Sequence, residues 1–271
     1  MVERRADPTK VELPVANVLA MVIESEESTV TTAALAACGR LGVPVVLCHR
    51  HLPVSLALPI DASWNGGEVR RLQARALRGE AAGRRLWRRT IRAKIFAQAS
   101  VLESMGAKSA SRLKRLAGSV GLDGGETVEA QAAAIYWRVL FDQFQRRDGE
   151  DPRNGLLNWG YAVLLAAVGR ALVSLGLDPA LGFGHAGRTN AWALACDLME
   201  PFRPSVDRIL AVAPADDLFA QPALVKGDIV RLFANDGPAK RAILEAVRGY
   251  REFLDDGNET HVRYPDRPLA A

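Results

Sequence analysis

Residues 155–177 form the most apolar stretch of the chain, and a single charge, Arg170, interrupts them. Residues 155–175 are apolar nearly all round a helical projection, the pattern of a helix enclosed on every side. The charge-free part covers only residues 155–169, short of the roughly 18 residues that a bilayer requires. The segment therefore reads as a core helix, and no membrane span is expected. The 271 residues suffice for one large domain or two smaller ones, and 49% hydrophobic with 24% charged residues excludes wholesale disorder. The charged opening MVERRADPTK lacks the apolar core of a signal peptide, so the cytoplasm is the expected compartment. Cys38, Cys48 and Cys196 are odd in number and share no metal-type spacing, which argues against a disulfide framework or a structural zinc.

Ahead of the apolar segment the chain changes texture. Residues 18–23 and 43–48 are short apolar runs rich in β-branched residues and read as strands. Between them residues 31–41 fit a helix capped by Thr31 or Thr32 and followed by Gly42. Residues 56–60 suggest one more strand. The Asp61-Ala-Ser-Trp-Asn-Gly-Gly67 break that follows is the best candidate for a boundary. Helical spacing then covers 68–78, 84–104, 108–116, 127–146, 155–175, 189–199 and 240–254, and the Pro- and Asp-rich tail reads as loose. The expected class is α+β: a small β-rich domain over residues 1–62, a linker at 63–67, and a larger all-α domain over 68–271.

The net charge is only +4, but it is concentrated. Residues 69–95 hold ten basic side chains against one acid, Glu80, and the remainder of the chain carries 25 basic and 30 acidic residues. One positive segment in an otherwise acidic chain is the footprint of a phosphate-binding surface, or else a solvated arginine-rich helical face. Arg85, Arg88, Arg89 and Arg92 fall on one side of a helix. With Arg84, and with Arg188 further along, they are the candidate phosphate contacts. No base-reading element is visible.

Three weaker signals concern catalysis. Glu129 shares a helical face with Ala133, Tyr136 and Leu140, where a buried carboxylate needs a partner or a metal. Alternatively it is a first-turn acid favoured by the helix dipole beside a Thr127 cap. The segment Gly182-Phe-Gly-His185-Ala-Gly-Arg188 places one imidazole in a glycine-rich loop, as a ligand or as a solvated side chain. Asp197 and Glu200 face the same way if a helix persists that far, although Pro201 disfavours the α region for Glu200. Arg203 is the alternative partner for Glu200. Two hard carboxylates with one imidazole suit Mg²⁺ or Mn²⁺ better than zinc. Beside a basic segment, such a site points to phosphodiester chemistry.

Longer blocks carry a resemblance. They are Leu86-Trp-Arg-Arg-Thr-Ile-Arg-Ala-Lys-Ile-Phe-Ala-Gln98, Asn154-Gly-Leu-Leu-Asn-Trp-Gly-Tyr-Ala162, Gly176-Leu-Asp-Pro-Ala-Leu-Gly-Phe-Gly-His185, and Asn190-Ala-Trp-Ala-Leu-Ala-Cys-Asp-Leu-Met-Glu-Pro-Phe-Arg-Pro204. In this order they resemble the CRISPR-associated endonuclease/integrase of spacer acquisition, most closely its type II branch. The resemblance implies a metal held by Glu129, His185 and Glu200 with Asp197 as a supporting carboxylate. It further implies an N-terminal β-sandwich-like domain, a helical catalytic domain, homodimers, a second adaptation subunit, and insertion of short duplex DNA into a CRISPR array. Against the family's pattern, the first strand or two of the β domain are expected to be missing, and Cys196-Asp197 stands where two adjacent acids are frequent. The alternatives are a transposon-type integrase of the same superfamily and a non-catalytic DNA-binding scaffold with structural ion pairs to Arg188 and Arg203.

Overall fold

The computed structural model describes residues 2–4, 7–11, 14–15, 18, 20–23, 25, 27–49, 52–57, 66–78, 80–122, 125–146, 148–184, 190–233 and 237–270. The first elements are strands β1 (Val2–Arg4), β2 (Asp7–Val11) and β3 (Met21–Ile23), helix α1 (Thr32–Arg40), and strands β4 (Val45–His49) and β5 (Leu52–Ala57). Helices then follow: α2 (Gly66–Arg78), α3 (Glu80–Ser104), α4 (Ala110–Gly118), α5 (Glu126–Leu140), α6 (Pro152–Ser174) and α7 (Ala193–Met199). A 3₁₀ turn, Glu200–Phe202, leads into α8 (Arg203–Val212), α9 (Ala215–Phe219), α10 (Pro222–Phe233) and α11 (Pro238–Asp256). A last 3₁₀ turn spans Glu259–His261.

Helix α6 is the expected core helix, longer than its sequence suggested. Asp151 caps its first turn by accepting from Arg153 N, and Pro152 supplies a pre-set φ at N1. It ends where Gly176 turns left-handed (φ +71°) and Leu177 N returns to Leu172 O. At 23 residues it is long and apolar enough to cross a membrane. Instead it is enclosed: from Asn154 to Val173 every residue except Gly155, Asn158 and Arg170 is buried. Helices α7, α8, α10 and α11 and the edge of the sheet supply that enclosure.

The sheet is small and mixed. Strands β3 and β4 are parallel, joined across α1, and β5 returns antiparallel to β4. The N-cap of α1 is Thr31, whose hydroxyl accepts from Ala34 N. Side chains alternate along β4. Val45 packs with Cys38 and Val43 on the α1 side, while Val46 and Cys48 join the main core that contains α6. Both faces of this sheet are thus covered by helices. The expected β-sandwich is not seen among the described residues, which hold only this sheet and the antiparallel β1–β2 pair. The protein is mostly helical with a small sheet. The expected linker, residues 63–67, lies outside the described residues up to position 65.

Three expectations are corrected. The helix expected over 127–146 stops at Leu140, and its N-cap is Gly125 (φ +66°), not Thr127. The strand expected over 56–60 is Leu52–Ala57, with 58–60 outside the described residues. The C-terminal tail is not loose. Val262 is fully buried, Tyr264 OH is 2.8 Å from Thr90 Oγ1, and Leu269 N donates to Ser205 Oγ at 3.0 Å. A Cβ on Gly249 would lie 2.1 Å from the His261 carbonyl oxygen, so only glycine lets the tail cross α11 this closely. Gly249→Ala is expected to cost about 1–3 kcal/mol through overpacking. Thermal melting checks it, and an unchanged midpoint would mean the tail is not docked.

Candidate active site

Helix α3 brings the centre of the site. Leu86, Thr90 and Gln98 are buried on one of its faces, and Lys94 lies between them at the same spacing. Its ammonium is 2.6 Å from Glu129 Oε1 on α5 and 2.5 Å from Glu200 Oε2 at the end of α7. The other Glu200 oxygen, Oε1, meets Arg203 Nε at 2.9 Å. Glu200 has only 5% of its side chain exposed, against 26% for Glu129. Burial disfavours the Lys94 ammonium, but the Glu200 and Glu129 carboxylates outweigh it and hold its pKa above the ordinary lysine value.

Glu200 closes α7 as its C-cap, the helix-end position that the following proline suggested. Its φ/ψ of −51°/−46° is helical, and Pro201 fits because the chain enters a new 3₁₀ turn and then α8. Pro204, near the start of α8, lacks only an N–H that would have no partner there. Glu200 thus lies at a junction, closing α7 and opening the 3₁₀ turn that leads into α8.

Asp197 plays a different part from Glu200. It is fully buried, and its Oδ2 accepts from Phe183 N at 2.6 Å and Gly184 N at 2.8 Å, fixing the glycine-rich loop just before His185. That loop is clamped at its other end by buried Gln73 of α2, which donates to Asp178 O (3.1 Å) and accepts from Asp178 N (2.9 Å). Phe183 packs edge-on to Trp87 and stacks on Tyr250. A Cβ at Gly184 would fall 2.1 Å from the Trp87 ring, so the close approach requires glycine. His185 and Arg188 lie outside the described residues.

Behind Glu200 runs a buried polar chain. The Arg203 guanidinium stands 4.7 Å over the Tyr161 ring, and the Tyr161 hydroxyl donates to Asp207 Oδ1. Tyr136 OH donates to the other oxygen, Oδ2, at 3.0 Å. Burial drives the Asp207 carboxyl up to about 6, against the opposing pull of the two tyrosines, Arg146 and Arg203. Burial first, and the Asp207 charge next, push both tyrosine hydroxyls well above their ordinary range.

A cleft of about 670 Å³ opens along α3, lined among others by Arg88, Arg92, Phe96, Lys114 and Tyr264. Arg92 and Phe96 are each two residues from Lys94 on a helix that turns about 100° per residue, so the cleft lies on another side of α3 from Lys94, and none of Lys94, Glu129 and Glu200 lines it. Arg85 and Arg89 also line it, but they are engaged by the tail. Arg85 pairs with Glu259 at 3.1 Å and donates to Gly257 O, and Arg89 donates to Val262 O at 2.8 Å. Arg84 is exposed and is not part of the lining.

The residues fit a cation in part. Two hard carboxylates from separate helices point at one positive charge, which the Lys94 ammonium supplies. Among the described residues no group of three His, Cys, Asp or Glu side chains is assembled. The structure brings Glu129 and Glu200 together and turns Asp197 to the loop backbone. The sequence reading missed Lys94, Gln73, Asp207 and the two tyrosines. Lys94 was legible by the same logic that singled out Glu129, a charge on an inward stripe.

The helical fold thus carries two acids closed around a cation and, on another side of the same helix α3, an arginine-lined cleft suited to polyanions. The chain belongs to the Cas1 family: the sequence model of that family, described as CRISPR associated protein Cas1, matches residues 1–217. It is 34% identical over 197 residues to the CRISPR-associated endonuclease Cas1 of Neisseria meningitidis, covering 72% of this chain and 64% of that protein. To a Cas1 endonuclease of Pyrobaculum aerophilum it is 32% identical over 155 residues, 55% of this chain and 49% of the relative. The chain thus spans about half to two thirds of the length of these curated relatives. Among solved structures, a Cas1 protein from Thermotoga maritima matches with a TM-score of 0.76 at 16% identity, over 94% of this chain and 91% of the other. A casposase bound to an integration product matches at 0.72 and 20% identity, over 93% and 84%.

Proposed function

We propose that this protein is a metal-dependent DNA endonuclease/integrase of CRISPR adaptation, of the type II branch, that inserts short duplex fragments into a CRISPR array. The observation that carries the reading is the convergence of Glu129 and Glu200 on one cation, and an arginine-lined cleft on the same helix α3 supports it. Identity to relatives named CRISPR-associated endonuclease supports CRISPR adaptation over a transposon-type integrase.

Glu129 and Glu200, with His185, would hold Mg²⁺ or Mn²⁺. Such an ion supplies Lewis-acid polarisation of a phosphodiester and neutralises charge on the attacking or leaving oxygen. Arg203 keeps the Glu200 carboxylate aimed through its second oxygen, and Asp197 fixes the loop that ends in His185. Arg88 and Arg92 take the DNA backbone in the cleft. A fragment's 3′-hydroxyl then attacks an array phosphorus, and the array's own 3′-oxygen leaves. The reading includes division into a small β-rich domain and a helical domain near residues 63–67, a homodimer, a second adaptation subunit, and a cytoplasmic location.

Fragment, array DNA and the second subunit, incubated with Mg²⁺ or Mn²⁺, are expected to yield strand-transfer product that EDTA abolishes. DNA binding without product, indifferent to EDTA, would leave a scaffold. For the cleft, the Arg88→Ala/Arg92→Ala pair is expected to make the slope of log affinity against log salt shallower by about two units. An unchanged slope would put the DNA path elsewhere.

A further inference from the structure

Lys94 answers a problem that two facing acids create. Glu129 and Glu200 come from different helices, and one oxygen of each lies within 2.6 Å of the same nitrogen. The two carboxylates are therefore close neighbours, in surroundings where Glu200 is almost wholly buried. Without a positive charge between them the two carboxylates would repel each other. Lys94 is anchored on the core-facing side of α3 and is itself only 16% exposed, so its ammonium is an internal group of the site rather than a visiting surface charge.

The same point in space is the one a metal needs. A hard divalent cation sits about 2.1 Å from each carboxylate oxygen it binds. An ammonium nitrogen 2.5–2.6 Å from both oxygens fills that position. Two positive centres cannot share it. The lysine stem is flexible and its contact is a point charge, so the ammonium can leave without disturbing either helix. Glu200 does not lose its bearing when that happens, because Arg203 holds the other oxygen.

We propose that Lys94 is the resident counter-ion of the Glu129–Glu200 pair and competes with a divalent metal for it, so that metal loading displaces the ammonium from between the carboxylates. This rests on the metal-site reading above. Lys94 thereby keeps the acids paired while no metal is bound and sets a threshold concentration for loading.

Mn²⁺ binding to the full chain, followed by electron paramagnetic resonance of free Mn²⁺, and thermal midpoints with and without Mn²⁺ test it directly. Lys94→Gln is expected to lower the midpoint in EDTA, to bind Mn²⁺ roughly 10-fold more tightly than wild type, and to gain a larger Mn²⁺-dependent rise in midpoint. Lys94→Arg keeps the charge and is expected to retain wild-type or weaker affinity, which guards against a Gln variant that folds poorly. If Lys94→Gln binds Mn²⁺ no better than wild type, while Glu129→Gln and Glu200→Gln both weaken binding, the competition is refuted and the metal site stands. If no variant binds Mn²⁺ and wild type does not either, the metal site falls and the competition falls with it.

Discussion

Glu200→Ala is expected to abolish strand transfer and to weaken the fold in the same stroke. The carboxylate is buried and joins two cations, Lys94 from α3 and Arg203 from α8. Breaking a buried ion pair by removing one partner typically costs about 3–5 kcal/mol. Lys94 retains Glu129 and Arg203 retains the face of Tyr161, so the lower end of that range is expected. Loss of activity should reach at least about 100-fold, the upper end for mutating residues that merely support a metal's ligands. Glu200→Gln separates the two effects: it keeps the packing, and its activity should fall as far while its melting temperature falls less. Glu129→Ala provides the converse case, since that side chain is more exposed and sits in a first turn. Its activity loss should match while its stability loss is small. Wild-type rates for Glu200→Gln in Mg²⁺ or Mn²⁺ would remove the carboxylate pair from the mechanism.

The second large effect lies away from the reacting atoms. Asp207 accepts from the hydroxyls of Tyr136 and Tyr161, and all three groups are buried. Asp207→Ala strands both hydroxyls at about 1–3 kcal/mol each. A total loss on the order of 3–5 kcal/mol is expected in denaturant titration, and a loss below about 1 kcal/mol would contradict the network. The charge adds a pH dependence of definite sign. The folded carboxyl titrates near 6 against an ordinary 3.8. Between those values the folded protein binds the proton more tightly than the unfolded chain does. Stability from this group therefore falls as pH rises through the window, and the full penalty is present above about 6. Asp207→Asn removes that contribution, so its stability relative to wild type should improve as pH is raised from 4 to 7.

Much of this architecture is legible in sequence, for reasons that also explain the gaps. The unbroken apolar run of α6 and the alternation in β4 follow from periodicity alone, as does the capped helix at Thr31. Helices α8 and α10 are absent from the sequence reading, although Pro204 and Pro222 each sit at a helix start, where proline is at home. The tail escapes because its anchors are single contacts to distant residues, Thr90, Arg89 and Ser205, that no local pattern announces. At the site, the acids are visible as charges on apolar stripes. Lys94 is hidden by its company, one cation among ten basic residues in that window. Arg85 and Arg89 show the reverse, grouped with the candidate phosphate contacts by spacing yet tied to the tail by tertiary structure.

Helix α6 has a mechanical consequence. The sheet leans on it through Val46 and Cys48, and α7, α8, α10 and α11 lean on it from other sides. Tyr161, which steadies the arginine behind Glu200, is one of its own residues. A beam shared by the sheet and the C-terminal helices leaves no seam between those parts, whereas α3, α4 and α5 pack chiefly on one another. The slowest amide exchange should therefore run along this helix, and the sheet and the C-terminal helices should open together.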